Sequence, residues 1–124
     1  MGICDGMVNR QDLPRYLYHG TFSVLLPSIL SQGLMRMPTN RRIWSVSNPE
    51  RVYLTDNRLR AKEWVALVQN YEIYRLERNP GEPVVLSIET DWLDLNLLRL
   101  DFEARSGKDY VYAADIPPEA ISVV

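Results

Sequence analysis

Short apolar runs separated by polar, proline- or glycine-containing stretches recur along the chain. Runs of this kind that are rich in aromatic and β-branched side chains are typical of strands. The clearest is Val84–Ile88, and the first is expected to end at Gly20. On this pattern the sequence predicts five or six strands, over Tyr16–His19, Arg51–Thr55, Val84–Ile88, Leu93–Leu100, Tyr110–Tyr112 and Ala120–Val124. The stretch Leu93–Leu100 is also compatible with a helix, and its alternation of leucines with polar residues favours a strand.

Two stretches have apolar residues at helical spacing and predict helices. In the first, Pro27 suits the first helical turn and Gly33 suits the position just after the helix ends. In the second, Asp56 is a good N-cap for a helix over about Asn57–Tyr71. The apolar face of this second helix comprises Ala61, Trp64, Val65 and Val68. Because both helices lie in the first two-thirds of the chain and do not alternate with strands, the predicted fold class is α+β.

The chain is expected to form one domain, because 124 residues suffice for a single hydrophobic core but not for two. Residues 1–14 have little periodicity and predict a flexible N-terminal arm, which leaves residues 15–124 as the domain. A long loop is predicted over Met35–Glu50, and it carries Arg41, Arg42 and Trp44. Loops of this length in compact domains are often functional.

Composition narrows the classes of function. Apolar residues make up 46% of the chain, charged residues 24%, and the net charge is −2. Without a basic run, the sequence does not predict a large nucleic-acid footprint. Cys4 and His19 are the only residues of their types, so neither an internal disulfide nor a zinc site is expected. No apolar run approaches the length of a membrane span, so the expected location is the cytoplasm, including that of a host cell.

Three motifs follow one another at short intervals, over Tyr18–Thr21 (YHGT), Ile29–Leu34 (ILSQGL) and Val52–Asp56 (VYLTD). In this order they resemble the catalytic core of the poly(ADP-ribose) polymerase branch of the ADP-ribosyltransferase superfamily. The resemblance covers residues 15–67 well and the last third of the chain more weakly. It implies an ADP-ribosyltransferase-like fold, with small split antiparallel β-sheets and two main helices around a cleft that binds NAD.

The resemblance implies a role for individual residues. His19 corresponds to the histidine that hydrogen-bonds the adenosine ribose of NAD, and Gly20 to the glycine whose backbone holds the nicotinamide carboxamide. Thr21 corresponds to the hydroxyl residue beside it. Tyr53 is similar to the strand tyrosine that packs against the nicotinamide-side ribose, and Trp64 to a second aromatic that stacks on the nicotinamide ring. Alternatively, the two aromatic residues belong to the hydrophobic core.

The third catalytic element of the family is a glutamate on a strand, and its best match here is Asp109, followed by Tyr110–Tyr112. Breaking the nicotinamide–ribose bond builds positive charge on the sugar, which a fixed carboxylate stabilises. Aspartate is one methylene shorter than the usual glutamate, so its carboxylate either still reaches the ribose or supports a weaker transfer step. Glu103 and Glu119 are rival carboxylates, and Asp109 alternatively is an ordinary turn residue.

Two more residues complete the implied NAD-binding set. Arg36, with Arg41 and Arg42, offers guanidinium groups that fit a pyrophosphate or steer an acidic target, and the alternative is a solvated loop. Thr55 lies on the same predicted strand as Tyr53.

The resemblance implies a mono-ADP-ribosyltransferase, and the small size of the chain suits a toxin, phage-encoded or effector type. A monomer is expected. The enzyme would use NAD as a substrate without a metal, release nicotinamide and modify a macromolecule, with protein favoured over nucleic acid. A module of the same fold that binds NAD or ADP-ribose but has lost the transfer chemistry is an alternative. An NAD-dependent RNA 2′-phosphotransferase-like enzyme is a further alternative, although its upstream Arg-His pair is absent here.

Overall fold

The computed structural model describes residues 7–35, 52–75, 77, 81–100 and 109–124. Within these ranges the chain forms an antiparallel sheet and two α-helices, so the predicted α+β class is confirmed. The helices are α1 (Leu26–Gln32) and α2 (Arg58–Tyr74). The strands are β1 (Tyr16–Phe22), β2 (Val52–Thr55), β3 (Pro83–Glu89), β4 (Leu98–Leu100), β5 (Asp109–Tyr112) and β6 (Ile121–Val123).

The described strands form one six-stranded sheet in the order β4-β5-β2-β1-β3-β6. The extent of pairing differs greatly between neighbouring strands. β1 pairs with β3 over its whole length, from Tyr16 opposite Glu89 to Phe22 opposite Pro83, whereas β1 and β2 share the single pair Tyr18–Thr55. The sequence predicted separate split sheets. The structure has instead one sheet whose two three-stranded halves meet at one residue pair.

Alternating side chains divide the sheet into two faces. Leu17, Leu54 and Leu86 belong to one of them, which α1 and the C-terminal segment cover. Helix α2 packs on the other face, where it contacts β1, β2 and β3. The main core comprises Leu17, Ile29, Leu34, Val52, Leu54, Leu86, Ile88, Leu93, Leu98, Tyr110, Tyr112, Ile116, Ala120 and Ile121.

Helix α2 lies so close to β1 that only a glycine fits beneath it. A Cβ atom at Gly20 would lie 2.6 Å from the carbonyl oxygen of Ala61 and 2.8 Å from the Cβ of Val65. The predicted apolar helix face is therefore partly right. Ala61 and Val65 are buried against the sheet, while Trp64 is 56% exposed.

We expect Gly20→Ala to destabilise the domain by about 1–3 kcal/mol, because overpacking at a tight backbone contact forces the helix to move. Urea unfolding of both proteins measures the loss. Ala66→Gly, on the same helix, is a control for general helix weakening, with an expected loss of about 1 kcal/mol. If Gly20→Ala is neutral, α2 does not require a glycine beneath it.

The sequence predicted where most helices and strands lie, but several of their predicted ends are wrong. Gly20 and Thr21 do not end β1, because they pair with Val85 and Val84 of β3. The N-cap of α2 is Asn57 and not Asp56: the Asn57 side chain accepts the N–H of Arg60 at 3.1 Å. In the part of the chain that the structure describes, neither helix is long and apolar enough to cross a membrane.

The leucine-rich stretch Leu93–Leu100 is not one strand, as its alternation predicted. It contains a short 3₁₀ turn, Leu95–Leu97, and only Leu98–Leu100 pairs with β5. Asp94 explains the turn, because its side chain accepts the N–H of Asn96 at 3.0 Å and so bends the backbone out of an extended conformation.

The described part of the predicted arm, residues 7–14, packs against the domain. The Arg10 guanidinium donates to the carbonyl oxygens of Thr90 at 2.6 Å and of Leu93 at 3.2 Å. The Thr90 hydroxyl donates to the Pro14 carbonyl at 2.7 Å. These backbone acceptors gave no signal in the sequence, where the polar composition of the segment favoured a loosely held arm.

Candidate functional site

The strands that carry the three predicted catalytic residues are neighbours in the sheet. His19 lies on β1, Tyr53 on β2 and Asp109 on β5, in the spatial order β5-β2-β1. Residues from distant parts of the chain are therefore brought to neighbouring strands but not to one face. His19 is opposite Leu86 and belongs to the face that α1 covers, whereas Tyr53 and Asp109 belong to the face that α2 covers.

His19 and Tyr53 make direct contact. The Nδ1 atom of His19 lies 2.8 Å from the backbone carbonyl oxygen of Tyr53. Because a carbonyl oxygen only accepts, Nδ1 carries the proton, and in the neutral imidazole Nε2 is then an acceptor. The contact lies next to the single backbone pair that joins β1 and β2, so the imidazole bridges the strands where their ladder ends. The geometry fixes the ring and its tautomer.

Burial lowers the pKa of His19, and the hydrogen bond to the Tyr53 carbonyl partly offsets this by raising it. Desolvation disfavours the charged imidazolium, while a carbonyl acceptor favours a protonated nitrogen. The net pKa lies below the ordinary histidine value of about 6.5. His19 is therefore a neutral hydrogen-bonding group at pH 7.

This shift predicts that acid weakens the fold through His19. Below about pH 6.5 the unfolded chain takes up a proton at this histidine while the folded chain does not, so stability present above that pH is lost as pH falls. Urea midpoints at about pH 7.5 and pH 5.5 measure the loss. His19→Asn does not titrate and retains an N–H for the Tyr53 carbonyl, so its midpoint should fall less. Equal losses in the two proteins would show that His19 is not the responsible group.

Asp109 is held by an arginine of α2. Both Nε and Nη2 of Arg60 contact the same carboxylate oxygen, Oδ2, at 2.9 and 2.8 Å. The Asp109 side chain is 15% exposed, and its other oxygen, Oδ1, is buried and has no hydrogen-bond partner among the described residues. A carboxylate is thus fixed on one oxygen, while the second is left for a further donor.

The register places Tyr53 and Asp109 on the same face of the sheet. Thr55 is opposite Asp109, and Tyr53 is opposite Val111, so Tyr53 and Asp109 are diagonal neighbours, at a typical Cβ separation of about 7–8 Å. Trp64 is one helical turn beyond Arg60, on the same side of α2. The exposed fractions are 37% for Tyr53 and 56% for Trp64. Two aromatic side chains therefore offer accessible surface near the carboxylate.

The other predicted binding residues make contacts that contribute to the fold. Gly20 lies beneath α2, Thr21 is buried in β1, and the Thr55 hydroxyl accepts the N–H of Asn57 at 3.2 Å. The rival Glu119 is exposed on a short 3₁₀ helix. Arg36, Arg41, Arg42 and Glu103 lie outside the described residues.

Arg60 is the residue that the sequence did not single out for the site. It stands in the first turn of α2, and Asp109 is 49 positions further along the chain. A basic residue early in the helix after the tyrosine strand was visible, but helical spacing alone does not predict a partner so far away.

A surface concavity of about 160 Å³ adjoins this face, lined by Asn96, Leu97, Arg99, Val111 and Ala113. Val111 is the cross-strand neighbour of Tyr53, but none of the predicted site residues that the structure describes lines the concavity. Among the described residues, no three His, Cys, Asp or Glu side chains are grouped as a metal ion would require.

None of the protein-family models matches this chain, and no curated protein is similar enough to count as a match.

Proposed function

We propose that this chain is a mono-ADP-ribosyltransferase that transfers ADP-ribose from NAD to a macromolecule and releases nicotinamide. The contact between His19 Nδ1 and the Tyr53 carbonyl is the observation that carries the proposal. It joins two of the motifs at the junction of the sheet halves, where the His19 side chain lies on one face of the sheet and those of Tyr53 and Asp109 lie on the other.

The available groups suit the parts of NAD. His19 Nε2, an acceptor in the neutral ring, pairs with a ribose hydroxyl. The accessible rings of Tyr53 and Trp64 offer stacking surface for the flat nicotinamide. Asp109 Oδ1, buried without a partner among the described residues, accepts a hydrogen bond from a second ribose hydroxyl. Together these groups offer acceptors for hydroxyls, a stacking surface for an aromatic ring and a negative charge for a developing cation.

The chemistry follows from the charge. The bond between the ribose C1′ and the nicotinamide nitrogen breaks, and its electron pair leaves with the neutral nicotinamide. The sugar gains positive charge in an oxocarbenium-like transition state, which the Asp109 carboxylate stabilises. A nucleophile of the acceptor then bonds to C1′ and loses its proton to solvent or to a carboxylate.

A binding module without transfer chemistry is the second candidate, and the Asp109–Arg60 pair favours it. Arg60 already neutralises Oδ2, and Oδ1 is closed off from solvent. A carboxylate committed to an internal ion pair has less negative charge available for a ribose cation. Such a module binds NAD and releases no nicotinamide.

Nicotinamide release and label transfer test the proposal. The full chain is incubated with NAD labelled in its adenylate half, with and without a protein extract. We expect nicotinamide release and labelled protein. His19→Asn, which retains the N–H donor but lacks Nε2, should weaken NAD binding by about tenfold, equivalent to one hydrogen bond.

The matched control is Glu119→Gln, which removes an exposed negative charge and should leave both readouts unchanged. Binding of NAD without release supports the second candidate, and neither binding nor release rejects both.

A further inference from the structure

We propose that Arg60 is a positioning residue, which holds Asp109 by Oδ2 so that Oδ1 serves the ribose of NAD. The inference rests on the proposed function and adds to it a residue and an assignment of the two carboxylate oxygens. It starts from the unusual way in which the guanidinium meets the carboxylate.

An arginine and a carboxylate commonly pair as two forks, with two parallel hydrogen bonds that occupy both oxygens. Here Arg60 directs Nε and Nη2 at one oxygen, at 2.9 and 2.8 Å, and leaves Oδ1 unused. Two donors on a single atom fix the position of Oδ2, while the Asp109 backbone in β5 fixes the other end of the side chain. The arrangement positions the carboxylate through Oδ2 and leaves Oδ1 without a donor among the described residues.

Leaving a buried carboxylate oxygen without a donor is costly, and such atoms in folded proteins are exceptional. The Arg60 charge 2.8 Å from Oδ2 offsets the cost of keeping Asp109 ionised. A buried acceptor that no described residue satisfies is suited to a ligand hydroxyl. Binding of that hydroxyl would complete the site.

The position of Arg60 is fixed from its own backbone. The N–H of Arg60 donates to the Asn57 side chain at 3.1 Å, so the residue stands in a capped and ordered first turn of α2. Thr55, opposite Asp109 in the sheet, accepts the Asn57 N–H at 3.2 Å. Asn57 therefore connects the start of α2 by hydrogen bonds to the strand beside Asp109. The backbone of Arg60 is held in place by these contacts, and this restricts the position of its guanidinium.

Substitutions at Arg60 test this role by nicotinamide release from NAD. Arg60→Lys retains the charge but lacks the planar fork. We expect its kcat to fall by about 10²-fold, since small misplacements of a catalytic group have effects of this size, with KM within about threefold of the wild type. Arg58→Lys, at an exposed position in the same helical turn, is the matched control and should have no effect.

A double-mutant cycle separates positioning from general stability. If Arg60 acts through the Asp109 carboxylate, Arg60→Lys has no further effect on kcat in an Asp109→Asn background. Arg60→Gln serves as a second variant, and thermal unfolding of each variant reports on its folding. A folded Arg60→Lys protein with wild-type kcat, or an equal loss in the Asp109→Asn background, overturns the inference and leaves the proposed function intact. A wild-type protein that cleaves no NAD overturns both.

Discussion

Replacement of Asp109 by asparagine should lower nicotinamide release by about 10²–10³-fold, the loss expected when one preorganised charge-stabilising group is removed from an active site. Asparagine has nearly the same shape but no charge, so it loses stabilisation of the sugar cation while NAD binding changes little. The effect should therefore be in kcat and not in the dissociation constant for NAD.

Rate and affinity must be measured on the same preparations. Nicotinamide release gives the rate, and calorimetric titration with NAD gives the affinity. Glu119→Gln, which removes one carboxylate from an exposed site, is the control for net charge. Near-normal release from Asp109→Asn would remove Asp109 from the mechanism and point to another acid.

The same experiment distinguishes the two candidate functions. In a transferase the carboxylate is needed only when charge develops, so affinity and rate respond differently to its loss. In a binding module, Asp109 serves affinity and the Arg60 ion pair, and no rate exists to be lowered. An effect on affinity alone therefore favours the module.

The sequence predicted those elements whose signals are local. Val84–Ile88 was recognised from its apolar run, and α1 from Pro27 and Gly33 at its two ends. The boundaries depended on contacts between elements. β1 continues through Gly20 because β3 pairs with it, and a glycine there serves the approach of α2.

The candidate site was proposed from its motifs, and its contacts were not predicted. The histidine and tyrosine motifs indicated that His19 and Tyr53 belong together, and the structure adds that a backbone carbonyl joins them. No property of the sequence predicts that atom as the partner. The pairing of Arg60 with Asp109 was equally hidden, because it depends on how α2 crosses the sheet.

The glycine of the second motif has a structural role with a large expected cost on replacement. Gly33 ends α1 with φ 97° and ψ 177°, a conformation that residues with a side chain rarely adopt. An added Cβ would also collide with the carbonyl oxygen of Ile116. That carbonyl accepts the N–H of Leu34 at 2.8 Å, and the Ile116 N–H donates to the Leu34 carbonyl oxygen at 2.9 Å.

We therefore expect Gly33→Ala to destabilise the domain by about 2–4 kcal/mol, the sum of backbone strain and overpacking. A loss of this size lowers the thermal midpoint by roughly 10 °C in a domain of about this length. Gln32→Ala, at the exposed last position of α1, is the matched control and should stay within about 0.5 kcal/mol. If Gly33→Ala melts at the wild-type temperature, the contact between the end of α1 and the Ile116 backbone adjusts without cost, and the glycine of this motif is then not required for the fold.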